Sequence, residues 1–157
     1  MNHFIRNILL LLVFLSFSTD QLKAQEIIRQ APCFNASMKR QADSLIENMA
    51  LQGFRMVKEA AMTMENEYEM PVIVPMTAGT CYYIAFIGDT KANLYEVRMY
   101  DYAEKQVVYK KQGMENNIIS YSFIPNSTEY HMIKPVQVGK RKIKNFCSFI
   151  LFFQKEQ

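Results

Sequence analysis

Cys81-Tyr-Tyr-Ile-Ala-Phe-Ile87 is apolar at odd and even positions alike and stops at Gly88-Asp89. Leu94-Tyr-Glu-Val-Arg-Met-Tyr100 instead alternates, with Tyr95, Val97 and Met99 on one side and Glu96 and Arg98 on the other. A strand buried on both faces carries apolar residues throughout, whereas one covered on a single face alternates with a period of two. The first segment therefore predicts a central strand. The second predicts a strand with Tyr95, Val97 and Met99 inward and Glu96 and Arg98 outward.

The same period continues in both directions. Downstream, residues 101–105 read as a hairpin connection to Gln106-Val-Val-Tyr-Lys110, and Asn117 to Ile124 places Ile119, Tyr121 and Phe123 on one face. Pro125-Asn-Ser-Thr128 then supplies a turn into Glu129 to Pro135, which predicts a second hairpin. Cys147-Ser-Phe-Ile-Leu-Phe-Phe153 is too apolar for a solvated tail and reads as a buried last strand. Upstream, Val72-Ile-Val74 lies between Pro71 and Pro75, which suits a sheet edge because proline cannot donate to a ladder.

Before Glu65 the period changes. Asn35-Ala-Ser37 is a helix cap, Met38, Ala42, Leu45, Ile46 and Met49 form one apolar stripe, and Gly53 falls where a left-handed C-terminal cap belongs. The spacing predicts a helix over about 36–52. Phe54 to Glu65 fits a helical stripe and one strand face alike, and we read it as a strand. Evenly spaced strands without interleaved helices argue an antiparallel sandwich of two sheets.

Arg6, the apolar run from Ile8 to Phe17, and Leu22-Lys-Ala24-Gln25 follow the order of a secretory signal, cut after Ala24. As a helix that run would span only about 15 Å of the roughly 30 Å of hydrocarbon in a bilayer, so no membrane anchor is expected in the mature chain. Residues 25–34 are then a leader, and 35–157 one domain with its sandwich over about 54–153. Gln30-Ala31-Pro32 before Cys33 is not a lipoprotein signal. The expected destination is the periplasm or the medium of a bacterium. Cys33, Cys81 and Cys147 have no CxxC spacing for zinc or a redox site, and one pair among them can bridge in an oxidising compartment. Spacing does not say which pair.

With 50% hydrophobic and 21% charged residues the chain should fold, and its formal net charge of +3 is too small to imply nucleic-acid binding. Five scattered glycines leave no phosphate-cradling loop, and no cofactor is expected. His131 is the one histidine after the signal, and there is no GxSxG turn, so Ser-His-Asp and Cys-His catalysis lack their parts. Opposite Tyr130 and Met132 on its strand, His131 is expected to face solvent or an interface.

Gly79-Thr-Cys-Tyr-Tyr-Ile-Ala-Phe86, Leu94-Tyr-Glu-Val-Arg-Met-Tyr-Asp101 and Tyr121-Ser-Phe-Ile-Pro-Asn-Ser-Thr-Glu-Tyr130 occur in an order that resembles the bacterial pre-peptidase C-terminal domain, over about residues 70–153. In that family these are a G-x-x-Y strand, an L-x-x-x-D strand and an F-x-P-x-x-S-x-x-Y turn. The chain departs from it in having Thr128-Glu129 before Tyr130 where the family has glycine, and in carrying no peptidase. It is similar to the stand-alone exported forms of Gram-negative envelopes. The resemblance implies a jelly-roll-like sandwich with an accessory or binding role and transfers no functional residue. The expected fold is thus mainly β, an antiparallel jelly-roll-like β-sandwich of about six to eight strands with one N-terminal α-helix.

Three groups of residues are candidates for contact. Lys140, Arg141, Lys142 and Lys144, with Lys134 nearby, form the densest charge run and suit an acidic ligand. Tyr82, Tyr100 and Tyr102 are expected outward near the hairpin, where tyrosine offers rigid amphipathic area to a protein or glycan. Glu65, Glu67 and Glu69 would share one face if that stretch is extended, a weak calcium candidate or a guard on a sheet edge. The sequence favours an exported, non-catalytic binding or accessory module whose partner is an envelope protein or a glycan. The alternatives are a small hydrolase using Glu65, Glu67 or Glu69 with Asp101, and a structural subunit pairing through edge strands.

Overall fold

The structure, a computed structural model, describes residues 31–156. The signal and most of the leader expected from the sequence lie outside the described residues. The elements in order are α1 (Ala36–Leu51), β1 (Phe54–Glu65), β2 (Val72–Met76), β3 (Tyr82–Gly88), β4 (Ala92–Tyr100), β5 (Gln106–Gly113), β6 (Ile118–Phe123), β7 (Glu129–Gly139) and β8 (Asn145–Lys155).

The strands form two four-stranded sheets, ordered β1-β8-β3-β6 and β2-β7-β4-β5, antiparallel throughout. β1 pairs with β8, β2 with β7, β3 with β6 and β4 with β5, the pattern of one long hairpin with its tip at β4–β5 rolled up on itself. Among the described residues the fold is a jelly roll with one helix. As their sequences require, β3 and β8 are the two central strands of one sheet, and β2, which follows Pro71 and contains Pro75, lies at an edge of the other. Residues 54–65 form a strand, with a bulge between Met56 and Lys58.

Between the sheets Tyr82, Ile84, Phe86, Ile150 and Phe152 meet Val74, Tyr95, Val97, Met99 and Ile133. The other side of β3 and β8 is apolar too, and α1 covers it. Met38, Ala42 and Met49 of the helix pack on Ala85, Ile87, Phe149, Leu151 and Phe153. Asn35 Oδ1 accepts hydrogen bonds from the Ser37 and Met38 amides, and Gly53, at φ 73°, ends the helix as the cap its position predicts.

A polar latch ties one end of the two sheets. The fully buried Gln137 accepts from the Asp89 amide at 2.7 Å and donates to the Cys147 carbonyl at 3.2 Å. Asp89 Oδ2 accepts from the Cys147 amide, and the Tyr95 hydroxyl donates to the Asp89 carbonyl at 2.9 Å. Gly88 lets Tyr95 approach: a Cβ there would stand 2.4 Å from the Tyr95 ring. Beside the latch, Cys33 and Cys147 form a disulfide, which leaves Cys81 free. The bridge holds the chain just before α1 against β8, on the side that the helix covers.

Three local expectations are corrected. β6 and β7 do not form a hairpin, because β6 pairs with β3 and β7 with β2 and β4, so residues 125–128 cross between the sheets. His131 is buried, not solvent-facing, because β7 takes its phase from Ile133 and Gln137 rather than from Tyr130 and Met132. Tyr82 also points into the core and stacks on Phe152 at 5.0 Å.

Replacing Cys33 and Cys147 together by serine frees a link between residues 114 apart in sequence. Urea unfolding should show a loss of about 3 to 5 kcal/mol, whereas Cys81→Ser leaves the midpoint nearly unchanged. Gly88→Ala drives a methyl into the Tyr95 ring and should cost about 1 to 3 kcal/mol in the same assay.

Candidate functional site

The helix makes the two outer faces of the sandwich unequal. The outer face of β1-β8-β3-β6 is covered by α1 over its central strands β3 and β8, and that of β2-β7-β4-β5 has no helix over it among the described residues. The register lays cross-strand rows on this open face. Pro75 lies beside Tyr130. Ile73, Met132 and Tyr100 form the next row, and Lys134, Arg98 and Tyr109 the one after. Val136, Glu96 and Lys111 follow.

The middle of the face is a charge network. Arg98 holds Glu69 and Glu96, each at 2.7 Å, Lys111 reaches Glu96 at 3.0 Å and Lys134 reaches Glu69 at 3.4 Å. Glu96 therefore points outward, as its alternation predicts, and is nevertheless buried, beside the side chains of Arg98 and Lys111. Burial alone would push its carboxyl up. Hydrogen bonds from Lys111 and Arg98 outweigh that and hold its pKa below 4.5. Two of the cations also sit over tyrosines, Lys134 Nζ at 5.0 Å from the Tyr100 ring centre and Arg98 at 6.0 Å from that of Tyr109.

At the end of the face next to the β4–β5 turn lies a groove of about 440 Å³ lined by Ile73, Asp101, Tyr102, Glu104, Tyr130, His131 and Met132. A smaller hollow of about 220 Å³ adjoins it, sharing Asp101, Glu104 and Met132 and adding Tyr100 and Lys134. The turn is fixed by the Lys105 amide donating to Asp101 Oδ1 at 2.8 Å and by Glu104 in the left-handed region at φ 59°. His131 meets the Phe123 ring edge-on at 5.4 Å, with Nε2 3.8 Å from Glu129. Among the described residues its buried Nδ1 has no hydrogen-bond partner.

The structure separates the residues that the sequence suggested. Tyr102 lines the groove and Tyr100 the hollow beside it, but Lys140, Arg141, Lys142 and Lys144 lie in the β7–β8 turn, roughly 30 Å away along β7. Lys134 is not part of that loop, being tied to Glu69. Arg141 and Lys144 instead line a hollow with Glu65 and Glu67, so the basic run faces acidic neighbours. The three glutamates do not alternate on one face: the chain turns at Glu67, with φ 71°, and Glu69 is taken up by Arg98 and Lys134. No group of three metal-ligating His, Cys, Asp or Glu side chains occurs among the described residues. Asp101 sits at the groove end of β4, away from Glu65 and Glu67, while Glu69 is held by Arg98 and by Lys134, which lines the hollow beside Asp101. Sequence reasoning missed Ile73, Tyr130 and Glu104. Only Ile73 carried a signal, as the central residue of an edge strand between prolines.

No family model matches the sequence, and no curated protein matches it. Among solved structures, the chain is similar to a protein from a structure of Bacillus endospore appendages described as disulfide-linked pili, with a TM-score of 0.39 and 7% identity over 65% of this chain and 87% of that one. It is similar to the infectious bursal disease virus VP2 subviral particle, with a TM-score of 0.41 and 8% identity over 66% of this chain and 32% of that one. A third is TmCBM61 in complex with beta-1,4-galactotriose, with a TM-score of 0.37 and 13% identity over 66% of this chain and 83% of that one. At these identities and scores no residue role or ligand passes from those proteins to this chain.

The lowered pKa of Glu96 has a direction in pH. The stabilisation its network provides is complete above the unfolded value near 4.5 and is lost as pH falls through the lower folded value. Glu96→Gln should therefore destabilise the chain at neutral pH and flatten the dependence of its urea midpoint on pH below 4.5.

Proposed function

We propose that this chain is an exported, non-catalytic binding or accessory module of the bacterial envelope or extracellular space, and that its ligand seats in the tyrosine-walled groove at the β4–β5 end of the open sheet. The observation that carries this reading is the unequal cover of the sandwich. The central strands of one outer face are covered by α1, while the other face keeps Ile73, Tyr130 and Tyr102 at 54%, 60% and 76% exposure beside a formed groove. Large apolar and aromatic groups clustered in the open, next to a few polar groups, are the usual composition of an interaction site.

Export is supported by the order of the N-terminal segments and by the disulfide, which suits an oxidising compartment. No helix of the described residues is long and apolar enough to cross a membrane. A relation to the pre-peptidase C-terminal domains belongs to the same reading. The residues of that resemblance fall on β3, β4 and the β6–β7 connection, where they serve strand and turn geometry.

In-cell crosslinking followed by capture of the tagged chain and mass spectrometry tests this. Tyr102→Ala with Tyr130→Ala should abolish enrichment of the partner, and Lys140, Arg141, Lys142 and Lys144 all changed to Gln should leave it intact. The opposite pattern would move the site to the β7–β8 turn.

A further inference from the structure

The open face repeats one device. Lys134 lies over Tyr100, and Arg98 over Tyr109, each cation also bonded to a carboxylate: Lys134 to Glu69, and Arg98 to Glu69 and Glu96. Tyrosine, cation and carboxylate recur as a set in two adjoining places. In the groove the set is incomplete. Tyr102 and Tyr130 form its aromatic walls and Asp101 and Glu104 its charged lining. Among the described residues no cation lies over either tyrosine, and no ion pair engages either carboxylate. The Asp101 and Glu104 positions are fixed by the turn rather than by a partner charge.

We infer that the groove receives the side chain of a lysine or arginine from a polypeptide partner, its cationic head between the carboxylates and its apolar stem against Ile73, Met132 and the tyrosines. This rests on the groove being the binding site and adds the chemistry of what enters it. A cation over a tyrosine ring and beside a carboxylate gains from both, and a long alkyl stem matches apolar walls. The walls argue for a polypeptide rather than a free amine. Ile73, Tyr130 and Tyr102 are each more than half exposed, so a small ligand would stay largely in water. A side chain delivered by a larger surface brings the rest of the cover with it.

The test is a titration of the ¹⁵N-labelled, disulfide-intact mature chain, followed by amide shifts, with the capped peptide Gly-Lys-Gly-Lys-Gly as probe. The same peptide with both lysines acetylated, and n-butylamine, are the comparison ligands. Amides of Tyr102 to Lys105 and Tyr130 to Met132 should move with the lysine peptide. Acetylation should weaken binding by about tenfold or more, as should Asp101→Asn with Glu104→Gln, and salt should weaken it as well. Asparagine keeps the oxygen that accepts from the Lys105 amide, and the exposed Glu104→Gln alone serves if the double variant unfolds. Equal binding of the acetylated peptide would overturn the cation and leave the groove as a site. Equal affinity for n-butylamine would overturn the polypeptide source. Shifts elsewhere, or none, would overturn the inference. If Tyr102→Ala with Tyr130→Ala also leaves partner capture unchanged, the reading of the groove as the binding site falls with it.

Discussion

The pairing of β3 with β8 governs the rest of the molecule. Both strands are apolar on two faces, and they lie side by side in register from Tyr82 opposite Gln154 to Gly88 opposite Ser148. Neither face can be left to water. The inner one is covered by the second sheet and the outer by α1, so the helix is a consequence of those strands rather than an addition to the sandwich. The disulfide and the Gln137–Asp89 latch both act at Cys147, in β8, so the covalent and polar ties converge on one of the two central strands of that sheet.

Spending the helix on one sheet leaves the other open, and the composition of β4 and β7 follows. Their outward residues are charged near the middle of the face and aromatic or apolar toward the β4–β5 end. Charges that pair across strands keep the middle soluble and ordered. Apolar groups at the end are stable exposed only because they are few, and their clustering around a groove is what distinguishes this end from the helix-covered face.

The architecture was legible where a segment's pattern is local. The alternation of β4, the two-faced runs of β3 and β8, the prolines around β2 and the capped stripe of α1 each decide an environment without knowledge of the partner. The phase of β7 was not legible, since the Tyr130–Met132 set offers large side chains suited to a core while the other set includes the polar His131 and Gln137, and only the pairing of His131 with Val74 shows which set is inside. The crossing of residues 125–128 between sheets has the same turn chemistry as a hairpin. Alternating glutamates imply one face only while the backbone stays extended, and it turns at Glu67. Cysteine pairing depends on tertiary approach, which spacing does not encode. Of the site, Tyr100 and Tyr102 were legible and their separation from the basic run was not, because that distance is the length of β7.

Hydroxyl-radical footprinting of the ligand-free mature chain reads the unequal cover of the two faces directly. Tyr102, Tyr130 and Tyr109 should be modified rapidly, with Phe149 and Phe153 beneath α1 protected to the same degree as Tyr95 in the core. Protection of Tyr102 and Tyr130 together with modification of Phe149 and Phe153 would contradict it, since the helix would then not be closing the β3–β8 face.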